Sequence, residues 1–411
     1  MKASLRSRWR AALSTLVALG GVLSTSWPAQ AEQRALHNEL TIVPFLGGDS
    51  DVGLGGGFIA SWARVSDAYK PYLLRVEAGS YLTGRKGSDG LEIPYFDSYL
   101  LVDLPHALRD KLHLRFRASH TRELTLKYYG LGNDSRIAAN HPREYFLYER
   151  THPTLDLRAE YQLTSALQLL WRVAYTRNWF SIAPDSQLGS DMAKGAPVVR
   201  RMLGSAKSHS VLAFSYGLAW DERDDQVSAQ SGQYHSLRVD LAPGGSGEFP
   251  TRWGRANGSL RAYVPLVKNR VTLAARAVSD VLFGDAPFYE LPRYDSTSAI
   301  GGVNGVRGIP AQRYYGKLKL FGNVELRSRL FDFDLFSKKH GFGLAVFVDG
   351  GRLWLTDRSL PEFDGRGLGL KYGIGGGPRI VAGKSFVLRL DVAWSPEARP
   401  IAAYLASGQM F

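Results

Sequence analysis

The sequence predicts an all-β fold, a sixteen-stranded antiparallel transmembrane β-barrel. Three observations lead there. Apolar and polar residues alternate with a period of two from Leu40 to Phe411, and helical periodicity is nearly absent. The connections between alternating segments are short and long in turn, as in an up-and-down barrel with short periplasmic turns and long outer loops. No stretch beyond the N-terminus has 18 consecutive apolar residues, so a helical span is excluded although the mean hydropathy, −0.17, is that of a soluble chain.

The first element is an export signal. Lys2, Arg6, Arg8 and Arg10 form a basic region, Ala11 to Leu23 is apolar, and Ala29-Gln30-Ala31 is a cleavage site. The apolar stretch is too short to span a bilayer as a helix. Residues 1–31 are therefore read as a signal peptide and 32–411 as the barrel.

The strands then follow at 39–46, 52–64, 69–81, 94–104, 111–122, 153–163, 166–180 and 207–220 in the first half. The second half supplies 232–242, 253–265, 269–283, 317–330, 341–350, 367–377, 385–395 and 400–411. Each has one apolar face. Leu112, Leu114 and Phe116 alternate with His113, Arg115 and Arg117; Phe386, Leu388, Leu390, Val392 and Trp394 oppose Arg389 and Asp391. The opposite faces carry many small or polar residues, too few apolar ones to fill a soluble sandwich core. An even strand number puts both termini on the periplasmic side. Tyr69, Tyr72, Tyr81, Tyr95, Trp171, Trp179, Trp220, Trp354 and Trp394 lie near strand ends, where interfacial girdles are expected.

Composition narrows the chemistry. There is no cysteine, so disulfides, thiolate metal sites and thiol catalysis are excluded. The net charge of +13 falls to about +9 without the four N-terminal bases. An exported basic chain points to headgroups, water or a polar lumen rather than nucleic acid. No G-x-S-x-G occurs; Gly-Lys-Ser at 383–385 lacks the first glycine of a phosphate loop, since Pro378 stands there. His113 and His120 fall on opposite strand faces and make no metal site. Nothing selects Ser119 or Ser215 as a lipase nucleophile, so no enzyme, cofactor or metal is expected.

The most informative stretch is Gly301-Gly302-Val303-Asn304-Gly305-Val306-Arg307-Gly308-Ile309-Pro310, with four glycines and one arginine. It lies between the eleventh and twelfth strands. Asn323-Val324-Glu325-Leu326 follows on the twelfth and Phe347-Val348-Asp349-Gly350-Gly351 on the thirteenth. With Val324, Leu326 and Leu330 outward, Asn323, Glu325, Arg327 and Arg329 point inward; with Leu344, Val346 and Val348 outward, so does Asp349.

Together these residues resemble the BamA/TamA-type family of outer-membrane barrels, also called bacterial surface antigens. The family carries VRGF or VRGY in its sixth outer loop; here Val306-Arg307-Gly308 is followed by Ile309. The resemblance implies that the long loop folds back into the lumen and that Arg307 pairs with Glu325 and Asp349 as a loop lock. Trp220-Asp221-Glu222-Arg223-Asp224-Asp225 with Ser231-Gly232 resembles the family's periplasmic turn, Tyr128 to Ser135 one of its loops, and Gly367 to Pro378 its glycine-rich C-terminal strands. Phe411 at the end of an alternating strand resembles a terminal assembly signal. Only Glu32 to about Glu39 precede the first strand, too short for the periplasmic POTRA modules of well-known members, so a barrel-only relative is expected.

The resemblance also implies an outer-membrane location and protein insertion, translocation or transport. It implies a weak seam between the first and last strands, with Gly53–Gly57 keeping the pairing adaptable. The expected partners are outer-membrane lipid and a periplasmic component or the barrel-assembly machinery, for a monomeric barrel. A passive pore or structural surface antigen is the alternative function, and a lipid-acting enzyme the third.

Overall fold

A computed structural model describes residues 36–411 apart from 67–68, 88–89, 139, 205–206, 246, 296, 336–337 and 383–385. The expected signal peptide, residues 1–31, lies outside the described residues. Sixteen strands close into one antiparallel barrel, each hydrogen-bonded to its sequence neighbours. They are β1 (His37–Asp49), β2 (Gly53–Ser66), β3 (Tyr69–Lys86), β4 (Tyr95–His106), β5 (Leu112–Lys127), β6 (Leu147–Gln162), β7 (Leu167–Ser181) and β8 (His209–Asp221). There follow β9 (Gly232–Ala242), β10 (Trp253–Val267), β11 (Val271–Gly284), β12 (Leu318–Leu335), β13 (Lys338–Trp354), β14 (Lys371–Ala382), β15 (Phe386–Ser395) and β16 (Ala398–Ser407). The sheet closes where β16 meets β1.

Many expected boundaries move, several strands running four to six residues further into the outer loops, and two of the shifts have a clear local cause. The glycine-rich stretch expected as a strand from 367 is loop until Lys371, held by Arg352, which donates to the carbonyls of Gly367 and Leu368. The last strand ends at Ser407, not Phe411, because Gly408 adopts φ +80° and turns the tail away from the sheet.

The alternation sorts side chains between two solvents. Leu237, Leu260, Val346 and Val348 are more than half exposed and form part of the apolar outer belt. Their alternates face a lumen of ion pairs. Trp171, Trp179, Trp220 and Trp394 are exposed as a girdle requires. The tyrosines behave otherwise: Tyr72 donates to Asp103, and Tyr81 and Tyr95 line an inner cavity with Asp51, Glu123 and Arg293. A phenol end can be satisfied in a charged lumen, which an indole body cannot exploit as well.

The long outer loops pack over the barrel mouth. Ser186 caps α1 (Gln187–Lys194) by accepting from Gly189 N, and α2 (Pro197–Leu203) follows. Leu188 and Leu203 from these helices are buried with Tyr128, Tyr148, Phe288 and Tyr315 from three other segments. This apolar cap is the largest dry region of the protein that does not face lipid.

Candidate functional site

The loop between β11 and β12 descends from that cap into the lumen. Its tip carries Arg307, which is fully buried. The glycines permit the descent. Gly308 has φ +90°, and a Cβ there would sit 2.9 Å from Trp394 C. On the facing strand, Gly373 of β14 leaves room for the loop itself, since a Cβ would lie 1.8 Å from the Arg307 carbonyl oxygen. Val306 and Ile309 flank the arginine, are both fully buried, and pack with Ile300, Tyr314, Phe321 and Leu353.

Arg307 uses most of its donors on carboxylates. Its Nε and backbone N donate to Asp349 Oδ2 at 2.7 and 3.1 Å, and Nη2 to Asp349 Oδ1 at 3.0 Å. Nη1 donates to Glu325 Oε1 at 2.6 Å and to Asp391 Oδ2 at 3.0 Å. The guanidinium plane also lies over Phe347, 3.3 Å from the ring centroid. The ladder places these groups together: Glu325 stands opposite Phe347, and Asn323 opposite Asp349, on the β12–β13 pair.

Val306, Arg307, Gly308, Glu325 and Asp349 are therefore brought to one place. Asp391 of β15 is a third carboxylate that sequence reasoning missed. Its inward parity was legible, but only the folded register carries β15 close enough. Three further arginines also join: Arg327 donates to Glu325 at 2.7 Å, while Arg379 and Arg389 lie 2.6 and 3.0 Å from Asp391. Arg307, Arg327, Arg379 and Arg389 against Glu325, Asp349 and Asp391 leave one surplus positive charge within this cluster.

Other ties hold the loop along its length. Asn304 O accepts from Arg276 Nη2 at 2.7 Å, Gly308 N donates to Tyr404 OH at 3.1 Å, and Ala311 N to Asp51 Oδ2 at 2.8 Å. Tyr314 OH donates to Glu397 Oε2 at 2.6 Å in the outer turn before β16. Burial works against the charge of Glu397, but Tyr314 and Lys371 outweigh it and hold the carboxyl below its ordinary pKa. These contacts tie the loop, as a strut, to β11, β12, β13, β15, β16 and the turn after β1.

Residues 82–400 match the family model of the Omp85 superfamily domain. The chain belongs to the Omp85 superfamily. Its barrel is of the BamA/TamA type. This Omp85 barrel is similar to BamA from Haemophilus ducreyi lacking POTRA domains 1–3, with a TM-score of 0.61 and 13% identity over 90% of this chain and 70% of that one. It is also similar to CdiB from Escherichia coli, with a TM-score of 0.54 and 12% identity over 92% of this chain and 68% of the other. At such identities the likeness is one of fold. No curated protein matches the sequence.

Phe411 stands apart from the loop lock and from its expected strand position. Beyond Gly408 the tail of the Omp85 barrel turns inward at the periplasmic end. The Phe411 ring packs 6.4 Å from that of Tyr263, beneath the guanidinium groups of Arg327 and Arg276 at 4.8 and 5.1 Å. Its backbone oxygen accepts from Arg327 Nη2 at 3.1 Å. The expected Trp220–Gly232 turn is compact: Arg223 and Asp221 pair at 2.8 Å, and Asp224 Oδ1 accepts from the backbone N of Gln230 and Ser231.

Proposed function

We propose that this barrel inserts or translocates polypeptide at the outer membrane of a Gram-negative bacterium, using the seam between β1 and β16. The observation that carries this reading is the pairing at that seam. Among the described residues, β1 and β16 pair only at Gly48–Leu405 and Asp49–Tyr404, with Ser50 bonded to Ala403 just above. The same β1 pairs with β2 along its whole length, from His37 to Asp49. Most of one edge of β1 thus has no ladder partner on β16. Unpaired backbone at membrane depth is costly, and a further strand would satisfy it.

The rest of the architecture supports the reading. Gly55 and Gly57 of β2 stand opposite Gly47 and Phe45 of β1, so few side chains resist a shift of that strand. The Arg307 loop is tied to β12, β13, β15 and β16, on the C-terminal side of the seam, and so steadies that side while β1 moves. Membership of the Omp85 superfamily favours the same class, protein insertion or secretion at the outer membrane. A periplasmic component is the partner this role requires. Phe411 acts as an assembly signal only before the barrel closes, while its tail is still free.

The test uses the absence of native cysteines. Ser50→Cys with Ala403→Cys allows the seam to be locked by oxidation. In a liposome assay of barrel insertion, the oxidised protein loses activity and reduction restores it. Equal activity of the two forms would sink the seam mechanism.

A further inference from the structure

At the periplasmic rim of the lumen lies a cavity of about 50 Å³ that the loop lock does not use. It is lined by Arg270, Arg327, Arg329 and Arg379, with Gln230 and Gln409 beside them, and no carboxylate lines it among the described residues. Such a space holds a few waters or one small oxyanion.

The deeper arginines have unused donors there. Arg327 is 7% exposed; its Nε is taken by Glu325 and its Nη2 by the Phe411 terminus, while Nη1 has no hydrogen-bond partner. Arg379 is 3% exposed, with Nη2 against Asp391, and its Nε is likewise without a partner. A buried guanidinium donor left unpaired is costly, so a ligand that accepts from it is favoured. Of the neighbouring acids, one shares a rim arginine and two are held within their own turn. Asp332 pairs with Arg329 at 2.6 Å, and Asp224 and Asp225 accept from the backbone of their own turn.

We propose that this cavity is a binding site for a carboxylate carried by an acidic peptide segment entering from the periplasm. Arg327 and Arg379 clasp the group, and Arg270 and Arg329 attract it at the rim. A carboxylate is favoured over other oxyanions because Arg327 and Arg379 already hold carboxylates, those of Glu325 and Asp391, through their other donors. The direction of approach rests on the polypeptide-handling role proposed above. Binding itself does not, and it is measured without any transport.

The refolded full-length barrel in detergent is titrated with a fluorescent hexapeptide bearing two adjacent glutamates, and with its glutamine counterpart. The glutamate peptide binds at least about tenfold more tightly, and the difference shrinks as salt is raised. Arg327→Gln or Arg379→Gln also disturbs the loop lock and could unfold the barrel. The rim pair Arg270→Gln with Arg329→Gln avoids this, since both side chains reach solvent. The rim variant, shown folded by its heat-modifiable mobility, binds the glutamate peptide about tenfold more weakly and the glutamine peptide unchanged. Equal affinity for the two peptides, or an unaltered rim variant, overturns the site. Displacement of the peptide by inorganic phosphate at far lower concentration than by acetate overturns the carboxylate assignment. If seam locking abolishes insertion while the peptides bind equally, only this inference fails.

Discussion

Arg307 decides the behaviour of its loop because it is one cation shared by carboxylates on three strands. Removing it leaves Glu325, Asp349 and Asp391 buried with only Arg327, Arg379 and Arg389 nearby, none of which reaches Asp349 within ion-pair distance. Arg307→Ala is expected to destabilise the folded barrel by about 3–5 kcal/mol, read as a lowered midpoint of thermal unfolding. Arg307→Lys keeps the charge but loses the planar fork that contacts all three acids, and is expected to recover only part of that loss. Gly373→Ala tests the same contact from the other side. Its Cβ would meet the Arg307 carbonyl oxygen at 1.8 Å, so the loop tip must leave its seat although every ion-pairing residue is intact. Limited proteolysis within 301–310 is the measurement, and protection equal to wild type would contradict the geometry. Glu397 gives a pH dependence. Its folded pKa is lowered, so its contribution is present at neutral pH and lost as pH falls through that lowered value, below the ordinary carboxyl pKa of about 4.3. Proteolysis of the loop with an acid-tolerant protease is expected to rise across that window, and Glu397→Gln to remove the pH dependence.

At the scale of elements, the long loop and β1 have opposite characters. The loop is pinned at Asn304, Arg307, Gly308, Ala311 and Tyr314, whereas β1 is paired along one edge and nearly free along the other. Replacing 301–310 by a flexible glycine-serine segment removes the strut and opens the lumen. Single-channel conductance in a planar bilayer is expected to rise several-fold over the wild-type barrel, and an unchanged conductance would mean that the loop does not obstruct the pore. Hydrogen exchange separates the strands independently. Amides of β1 between His37 and Gly47 that face the seam are expected to exchange faster than those of β12, which is paired on both sides.

For the whole molecule, closure of the cylinder distributes work between its two ends. The outer mouth is covered by apolar packing, where Tyr128, Leu188, Phe288 and Tyr315 come from three separate outer loops. The periplasmic mouth is lined with arginines and receives the chain's own terminus. Asp51 links the two functions: it accepts from Ala311 N of the long loop and pairs with Lys127 of β5, just beyond the end of β1. Any movement of β1 at the proposed seam is thereby coupled to the loop through the buried side chain of Asp51.

The sequence by itself determined the strand number and the inward or outward direction of most side chains, and it singled out Val306, Arg307, Gly308, Glu325 and Asp349. Those follow from a local rule, since side chains along a strand alternate whatever the neighbouring strand does. Parity put Asp391 and Arg389 inward, but it could not say that they meet Arg307. That depends on register accumulated across the closed sheet and on how far a loop can reach into it. The direction of the last four residues was likewise undecidable from alternation: Gly408 leaves the sheet, and the Arg327–Phe411 contact exists only because β12 and the tail converge at the closed rim. Only the tertiary structure decided which charges became partners, because pairing across 84 residues of chain, as between Arg307 and Asp391, is a property of closure and not of any one strand.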